Sequence, residues 1–222
     1  MSHRLHSIEY GTNAEVTAKM LRVLFPDVET VLDMTYGSGK FWTDRPPWLV
    51  TGIDLNPERA RDVCADFTRL PFGDGAFDVA IFDPPYLADT AKDRSSRIAQ
   101  HFSSYASMDV LAETVRRGAA EAWRVSRIGT IVKVQNYSHG GHSVRMTRWV
   151  EDVIPETPYG EVHRANAAKI VPHRWGSQLS VYSIHTTFLA FRHGSQMHVR
   201  RGQMFAAVTV DAPAQLALME AT

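Results

Sequence analysis

The stretch Val79-Ala80-Ile81-Phe82-Asp83-Pro84-Pro85-Tyr86 determines how the rest of the sequence is interpreted. Its four apolar residues are typical of a buried parallel strand. The strand gives way to a carboxylate, two prolines and a tyrosine. Because prolines fix φ and lack an amide hydrogen, the turn is stiff, and its carbonyl groups must accept hydrogen bonds from elsewhere or face a ligand. An acid, free carbonyls and an aromatic ring together suit a planar base that carries an exocyclic amino group.

A simpler interpretation of this stretch is a proline-rich turn after a strand, with Asp83 hydrogen-bonded inside it. A string of four residues occurs by chance in unrelated chains, so the surrounding pattern has to decide. Two features earlier in the chain bear on that decision.

The first feature is a glycine turn. A strand is predicted over residues 28–34, and Asp33 and Tyr36 stand close to Gly37 and Gly39 in the turn that follows. Glycine lets the backbone turn tightly and approach a ligand at the carboxyl edge of a parallel sheet. Only residues 35–48 separate this strand from the next, and a parallel crossover takes about a dozen residues. Any helix in this crossover must therefore be very short.

The second feature is an acid at the end of the second predicted strand, residues 49–55. Asp54 lies 17 residues after Gly37 and is followed by Leu55. An acid at this position holds ribose hydroxyls in nucleoside-binding α/β folds. Asn56 can cap the helix predicted over residues 57–65, which would leave Asp54 free for a sugar.

The remaining pattern alternates strands with helices, which predicts an α/β domain with a mostly parallel sheet of about seven strands and helices on both faces. Further strands are predicted at 63–65, which leads to Asp66 and Phe67, and at 77–82, 129–137, 161–165 and 186–191; helices are predicted at 14–24, 108–125 and 144–153. Thr12 precedes the first helix, where a hydroxyl either caps the helix or binds a carboxylate. Residues 1–13 are otherwise expected to be an unordered terminus.

Composition narrows the class of protein. The 222 residues suit one domain, and the one cysteine, Cys64, excludes an internal disulfide. The sequence shows no signal peptide or membrane-spanning run, so we expect a cytoplasmic protein with no membrane partner. His139 and His142 are interpreted as loop residues, and no metal site is predicted.

Charge is distributed unevenly. Residues 1–111 hold 16 acidic and 11 basic side chains, whereas residues 112–222 hold 8 and 13. The basic half could bind a polyanion, and the two halves could equally form a self-association surface. The polar stretch 87–106 is typical of a lid or binding loop.

Taken in order, these motifs resemble the S-adenosylmethionine-dependent amino-methyltransferases of nucleic-acid bases, above all the DNA adenine-N6 group. The resemblance rests on Asp33-x-x-x-Gly37-Ser38-Gly39-x-Phe41, Asp54, Asp66-Phe67 and Asp83-Pro84-Pro85-Tyr86. The cofactor motifs precede the D-P-P-Y motif, as in the gamma-type members. The resemblance implies a Rossmann-like class I methyltransferase domain over residues 1–193, with 194–222 as an extension without an assigned role.

The resemblance also implies roles for these residues. The cofactor S-adenosylmethionine would be held by Thr12, Asp33, Tyr36, Gly37, Gly39, Asp54, Leu55, Asp66 and Phe67. Asp83 and the Pro84 carbonyl would accept hydrogen bonds from the target amino group, with Pro85 stiffening the turn and Tyr86 stacking on the extruded base. The implied activity is methylation of adenine N6 in DNA.

Other functions remain open from sequence. The substrate could be RNA, at adenine N6 or guanine N2. The chain could instead be a catalytically silent nucleic-acid-binding partner with the same fold, or a small-molecule methyltransferase. The sequence shows no separate target-recognition domain, and it does not indicate an oligomeric state.

Overall fold

The strands in the described part of this chain form one large sheet and one small hairpin. The computed structural model describes residues 4–42, 46–86, 107–139, 142–165 and 185–194. The strands are β1 Ile8–Glu9, β2 Thr30–Asp33, β3 Leu49–Asp54, β4 Val63–Cys64, β5 Phe77–Phe82, β6 Ser126–Val134, β7 Tyr137–His139, β8 His142–Val144, β9 Gly160–Ala165 and β10 His185–Arg192. The helices are α1 Asn13–Leu24, α2 Met108–Val125 and α3 Met146–Glu151.

Within the described ranges the large sheet has eight strands in the order β1-β9-β10-β6-β5-β2-β3-β4. Its neighbours pair in parallel except where β10 runs antiparallel to β6 and to β9. After β1, which lies at one edge, the chain enters the middle of the sheet at β2, builds outward to β4, and then returns to add β5 and β6 on the other side of β2. This mostly parallel, doubly wound arrangement is the Rossmann-like α/β fold that the sequence predicted.

Helices cover both faces of the sheet, also as predicted. One apolar layer includes Val16, Met20 and Leu21 of α1, and a second layer on the opposite face includes Leu111 of α2 and Val150 of α3. The spacing of the apolar residues in α1 and α2 gives each helix one buried stripe. Ser107 caps α2, because its hydroxyl accepts a hydrogen bond from the Val110 amide.

Some predicted elements were wrong. Residues 57–65 do not form a helix: residues 57–62 form turns, and Val63–Cys64 is a strand paired with β3. The Asp62 carboxylate accepts a hydrogen bond from the Gly52 amide, and the Asp62 amide donates to the Gly52 carbonyl. These bonds hold the chain against β3 and prevent it from coiling into a helix.

Two further segments are more ordered than the sequence suggested. Residues 1–13 were expected to be unordered, yet Ile8 and Glu9 pair with β9, and Lys19 of α1 binds the Glu9 carboxylate. Residues 138–142 were interpreted as a loop, but His139 and His142 are paired at the end of the β7–β8 hairpin. The predicted lid, residues 87–106, and the extension beyond residue 194 lie outside the described residues.

No helix in the described ranges is both long and apolar enough to cross a membrane.

A buried carboxylate ties β5 to the start of β2. Asp78 is 1% exposed and accepts hydrogen bonds from the amides of Glu29 and Thr30, while its own amide donates to the Thr30 hydroxyl. Arg127 forms an ion pair with the same carboxylate. Burial raises the pKa of Asp78, but these hydrogen bonds and the Arg127 charge outweigh it and lower that pKa below its usual value. The two central strands are thus joined by the hydrogen bonds of this buried carboxylate as well as by the backbone hydrogen bonds between them.

We expect Asp78→Ala to lower the free energy of unfolding by about 2–3 kcal/mol, because buried amide donors lose their acceptor. Since the folded-state pKa lies below the unfolded value near 3.8, the contribution of Asp78 is present above that pH and is lost as the pH falls further. Urea unfolding at pH 7 and at pH 3 measures both effects. The exposed Asp27→Ala is the control and should change the free energy by less than about 0.5 kcal/mol. Equal losses for the two variants at pH 7 would contradict this role.

Candidate active site at the carboxyl edge of the sheet

The candidate site lies where the strand order reverses. From β2 the chain adds β3 and β4 on one side and then returns to add β5 and β6 on the other. In open parallel sheets, ligands bind in the crevice outside the carboxyl ends of the strands at this switch point. Asp33 is the last residue of β2, Asp54 is the last of β3, and Asp83 directly follows β5. Three of the predicted site acids therefore lie on one edge of the sheet.

The glycine turn after β2 has the backbone conformation that its glycines permit. Gly37 and Gly39 have φ values of +54° and +69°, in the left-handed region that favours glycine. A Cβ at Gly39 would lie 2.8 Å from the Tyr36 hydroxyl oxygen. The Tyr36 ring packs over Gly52 of β3 and lies under the Arg61 guanidinium. The turn is therefore held against β3.

Asp54 holds this turn through its carboxylate. Its Oδ2 accepts a hydrogen bond from the Gly37 amide at 3.1 Å, and its Oδ1 accepts one from the Asn56 amide at 2.8 Å. A carboxylate oxygen can accept two hydrogen bonds, so each oxygen keeps acceptor capacity for a ligand hydroxyl. Asn56 caps no helix; its side-chain oxygen accepts from the Glu58 amide in a turn. Leu55 beside it is 63% exposed, which leaves an apolar surface available for a ligand ring.

Asp33 is the most buried acid of the site, at 1% exposure. Its carboxylate accepts hydrogen bonds from the Trp42 indole at 2.7 Å and from the Thr35 amide at 3.0 Å. Burial raises the pKa of Asp33 to about 6, and the charges of Asp83 and Asp54 act in the same direction against those hydrogen bonds. The carboxyl group of Asp33 is thus neutral at mildly acidic pH, whereas an exposed aspartate would be ionised.

The turn after β5 contacts the glycine turn directly. The Asp83 amide donates a hydrogen bond to the Thr35 hydroxyl at 3.1 Å, and the Met34 amide donates to the Ile81 carbonyl at 2.9 Å. These bonds continue the β2–β5 pairing beyond the strands. The two turns that the sequence marked as cofactor and target sites therefore adjoin each other.

The Asp83 side chain forms an ion pair with a residue that sequence analysis missed. Lys133 Nζ lies 2.8 Å from each oxygen of the Asp83 carboxylate. The Lys133 side chain is 6% exposed and that of Asp83 is 19% exposed, so both charges are largely removed from water. Phe82 of β5 pairs with Val132 of β6, which places the next residue of each strand side by side.

Tyr86 closes a triangle with this ion pair. Its hydroxyl donates to Asp83 Oδ1 and accepts a hydrogen bond from Lys133 Nζ at 2.7 Å. Burial raises the pKa of Tyr86 well above its usual value, the Asp83 carboxylate adds to that rise, and the Arg164 charge opposes it. The phenol therefore stays protonated. Lys133 Nζ also lies 5.1 Å from the centre of the Tyr86 ring and 5.6 Å from that of Phe41.

Asp66 and Phe67 lie after β4, also at the carboxyl edge. The Asp66 Oδ1 accepts hydrogen bonds from the Thr68 amide and hydroxyl, both at 2.8 Å, and the residue is exposed. The Phe67 ring lies 5.0 Å from that of Phe82 and packs near Gly118 of α2. One side of Phe67 is thus used by the core, and its predicted contact with the cofactor stays a prediction.

Thr12 forms a capping box at the start of α1. Its hydroxyl accepts from the Glu15 amide, and the Glu15 carboxylate accepts from the Thr12 amide at 2.7 Å. Hydrogen bonds from Thr12 lower the pKa of Glu15, so a negative charge already lies at this helix end. The capping role is therefore confirmed, and carboxylate binding by Thr12 stays a prediction.

Lys133, Thr35 and Trp42 are the site residues that sequence analysis missed. Lys133 had a detectable signal, since it is a lone charge flanked by the buried valines 132 and 134. A charged residue in a buried strand requires a partner. Thr35 and Trp42 had no signal, because hydroxyl and indole groups are common beside glycine turns. Within the described ranges, no group of three histidine, cysteine or acidic side chains could hold a metal ion.

We expect the Asp33 carboxyl to titrate near pH 6. The folded protein then holds this proton while the unfolded chain, with a pKa near 3.8, releases it, so stability falls as pH rises between these values. Carboxyl ¹³C NMR of aspartate-labelled protein gives the midpoint, and Asp33→Asn assigns the resonance by its loss. A carboxyl resonance of Asp33 with a midpoint below 4.5 would contradict this assignment.

Comparison with known proteins gives only structural likenesses. No family model matches the sequence, and no curated protein matches it. The 1,6-didemethyltoxoflavin-N1-methyltransferase of Burkholderia thailandensis is 15% identical, with a TM-score of 0.47 over 81% of this chain and 77% of that one. A geranyl diphosphate methyltransferase is 14% identical, with a TM-score of 0.48 over 81% and 76%. A SAM-dependent methyltransferase of Methanosarcina mazei is 13% identical, with a TM-score of 0.42 over 75% and 92%. At such values the chemistry of this chain has to be inferred from its own residues.

Proposed function

We propose that this chain is an S-adenosylmethionine-dependent methyltransferase that methylates the exocyclic amino group of a nucleic-acid base, with adenine N6 in DNA as the target. The observation that carries the proposal is the hydrogen bond between the Asp83 amide and the Thr35 hydroxyl. It joins the turn that suits an amino-bearing base to the turn that suits a nucleoside cofactor. Methyl transfer requires donor and acceptor to adjoin in this way.

The cofactor side of the crevice has groups that fit a nucleoside sulfonium. Asp54 keeps acceptor capacity on both oxygens for ribose hydroxyls, and the exposed Leu55 provides an apolar surface. Asp66 is exposed beside them, with Oδ1 engaged by Thr68 and Oδ2 accepting no hydrogen bond from the described residues, which leaves an acceptor for an adenine amino group. The acids at the strand ends also favour a cation electrostatically. When bound, S-adenosylmethionine supplies an electrophilic methyl group.

On the acceptor side, Asp83 is the group that holds the target amine. An exocyclic amine is a weak nucleophile because its lone pair is conjugated into the ring. A hydrogen bond from the amine to a carboxylate orients the nitrogen and stabilises the positive charge that develops on it during methyl transfer. Among the described residues, Asp83 Oδ2 accepts only the Lys133 hydrogen bond, so it can accept one more. No side-chain nucleophile takes part in this step.

A second function is favoured by one observation. Both oxygens of Asp83 are already bonded to Lys133, and Tyr86 adds a bond to one of them. A carboxylate neutralised in this way stabilises a developing cation less than a free one does. The same geometry therefore suits a catalytically silent nucleic-acid-binding partner that kept the fold. Such a partner would bind nucleic acid without transferring a methyl group.

Methyl transfer to separate pools of DNA, RNA and protein tests the proposal. With tritiated S-adenosylmethionine we expect label in DNA, and we expect Asp83→Asn to reduce the rate by at least about 100-fold, because a charged acceptor is lost from the reacting nitrogen. The exposed Asp27→Asn serves as control and should keep the wild-type rate. Label in RNA alone would show that the chain methylates RNA and would contradict DNA as the substrate. Absence of label from every pool would favour the silent partner.

Cofactor binding is tested separately by calorimetric titration with S-adenosylmethionine. Gly39→Ala adds a Cβ to a residue with positive φ and against the Tyr36 hydroxyl, so we expect the turn to shift and the Kd to rise by about tenfold or more. The matched control is Gly73→Ala, since a Cβ there meets no atom within 4 Å and the residue has no positive φ. Equal affinities for the two variants would remove the glycine turn from the cofactor site.

A further inference from the structure

We propose that Lys133 is a specificity-determining residue, which donates a hydrogen bond to the ring nitrogen adjacent to the target amino group while Asp83 accepts one from that amino group. This inference rests on the proposed function and names the part of the base that the site recognises. The edge in question is an amino group and an unprotonated ring nitrogen joined through one carbon. Adenine presents this edge at N6 and N1, and cytosine presents it at N4 and N3.

The positions of the two side chains carry the inference. Lys133 and Asp83 lie on neighbouring strands, and the distance of 2.8 Å between Nζ and Oδ2 puts one donor and one acceptor side by side. An amino group and its adjacent ring nitrogen need partners with this side-by-side arrangement. A carboxylate alone would satisfy only the amino group and would leave the ring nitrogen without a donor.

Hydrogen-bond capacity allows the exchange. Lys133 has three N–H groups, which bond to the two oxygens of Asp83 and to the Tyr86 hydroxyl. One of its two hydrogen bonds to Asp83 can be given up, because the other is enough to keep the ion pair. When the base enters, one N–H of Lys133 turns from Asp83 to the ring nitrogen, and Oδ2 accepts from the base amino group. The ion pair persists through Oδ1.

Aromatic rings keep the ammonium in place during this exchange. Lys133 Nζ lies over the faces of Phe41 and Tyr86, at 5.6 Å and 5.1 Å from the ring centres. Such faces attract a cation, and the side chain has little room to move at 6% exposure. Lysine, normally a flexible group, is thus held as a fixed donor.

The pairing also determines which nitrogen of the base reacts. The lone pair of the ring nitrogen lies in the ring plane and is a stronger nucleophile than that of the conjugated amine. A hydrogen bond from Lys133 occupies the ring lone pair, so the new N–C bond would form at the amino nitrogen. The sulfonium S–C bond would break to leave a neutral thioether, and the surplus amine proton would leave along the hydrogen bond to Asp83. The Watson–Crick edge of guanine is disfavoured, because its N1 carries a hydrogen that would oppose the ammonium, and only the N2 and N3 edge on the sugar side offers the same pair of groups.

The first test uses the wild-type protein and modified bases. Random-sequence oligonucleotides are made with adenine, with 1-deazaadenine, which replaces the acceptor nitrogen by C–H, or with 7-deazaadenine as the matched control. We expect 1-deazaadenine to be methylated at least about tenfold more slowly than 7-deazaadenine, because a buried charged donor is left unpaired. Equal rates for the two analogues would overturn the inference and leave the proposed function standing. No transfer to any oligonucleotide would overturn the proposed function and this inference with it.

The second test uses product analysis of Lys133 variants. We expect Lys133→Met to methylate more slowly and to raise the ratio of N1-methyladenine to N6-methyladenine by about tenfold or more, since the ring lone pair is no longer engaged. Lys133→Arg, which keeps a donor, should restore the wild-type ratio in part. An unchanged ratio in a folded Lys133→Met would overturn the inference. If Lys133→Met does not fold, the product ratio of Lys133→Arg and the rates on the two deazaadenine oligonucleotides decide whether the inference holds.

Discussion

The ion pair between Lys133 and Asp83 is the contact on which the geometry of the site depends. Each side chain comes from the carboxyl end of one of two neighbouring parallel strands, and both are mostly shielded from water. Removing two charges from water is costly, and only close mutual contact with further hydrogen bonds offsets the cost. Tyr86 provides those bonds to both partners, so this residue, which follows the two prolines, is fixed in place by the ion pair.

The three acids at the sheet edge have different partners that offset the cost of removing a carboxylate from water. Asp54 receives backbone amides and stays partly exposed, and Asp83 receives a buried cation. Within the described residues Asp33 accepts hydrogen bonds from the Trp42 indole and the Thr35 amide, and burial together with the nearby acids raises its pKa to about 6. The three aspartates of this edge therefore differ in their surroundings, and burial raises the pKa of Asp33. These differences come from the residues that surround each carboxyl group, since all three residues are aspartates.

Sequence analysis succeeded where the signal was local. Strand β5 and helix α2 have the predicted bounds, because an apolar run defines the first and an apolar stripe defines the second. Asp54 and Asp83 were predicted at strand ends, and the parallel sheet brings those ends to one edge. The partners were not predicted, since Lys133 is 50 residues from Asp83 and only the β5–β6 register brings them together. The failed helix at 57–65 had a start signal at Asn56-Pro57, but the bonds between Asp62 and Gly52 overrode it.

Stability alone does not account for a buried lysine at this position. Replacing a buried ion pair by apolar side chains of similar volume is often neutral or stabilising, so a strand that served only the core could carry a valine or leucine here. The neighbours of Lys133 in β6 are such residues. What distinguishes this position is its place at the switch point, beside an acid that is joined by a hydrogen bond to the glycine turn. A donor fixed next to an acceptor at the mouth of a ligand crevice is what recognition of a base edge requires.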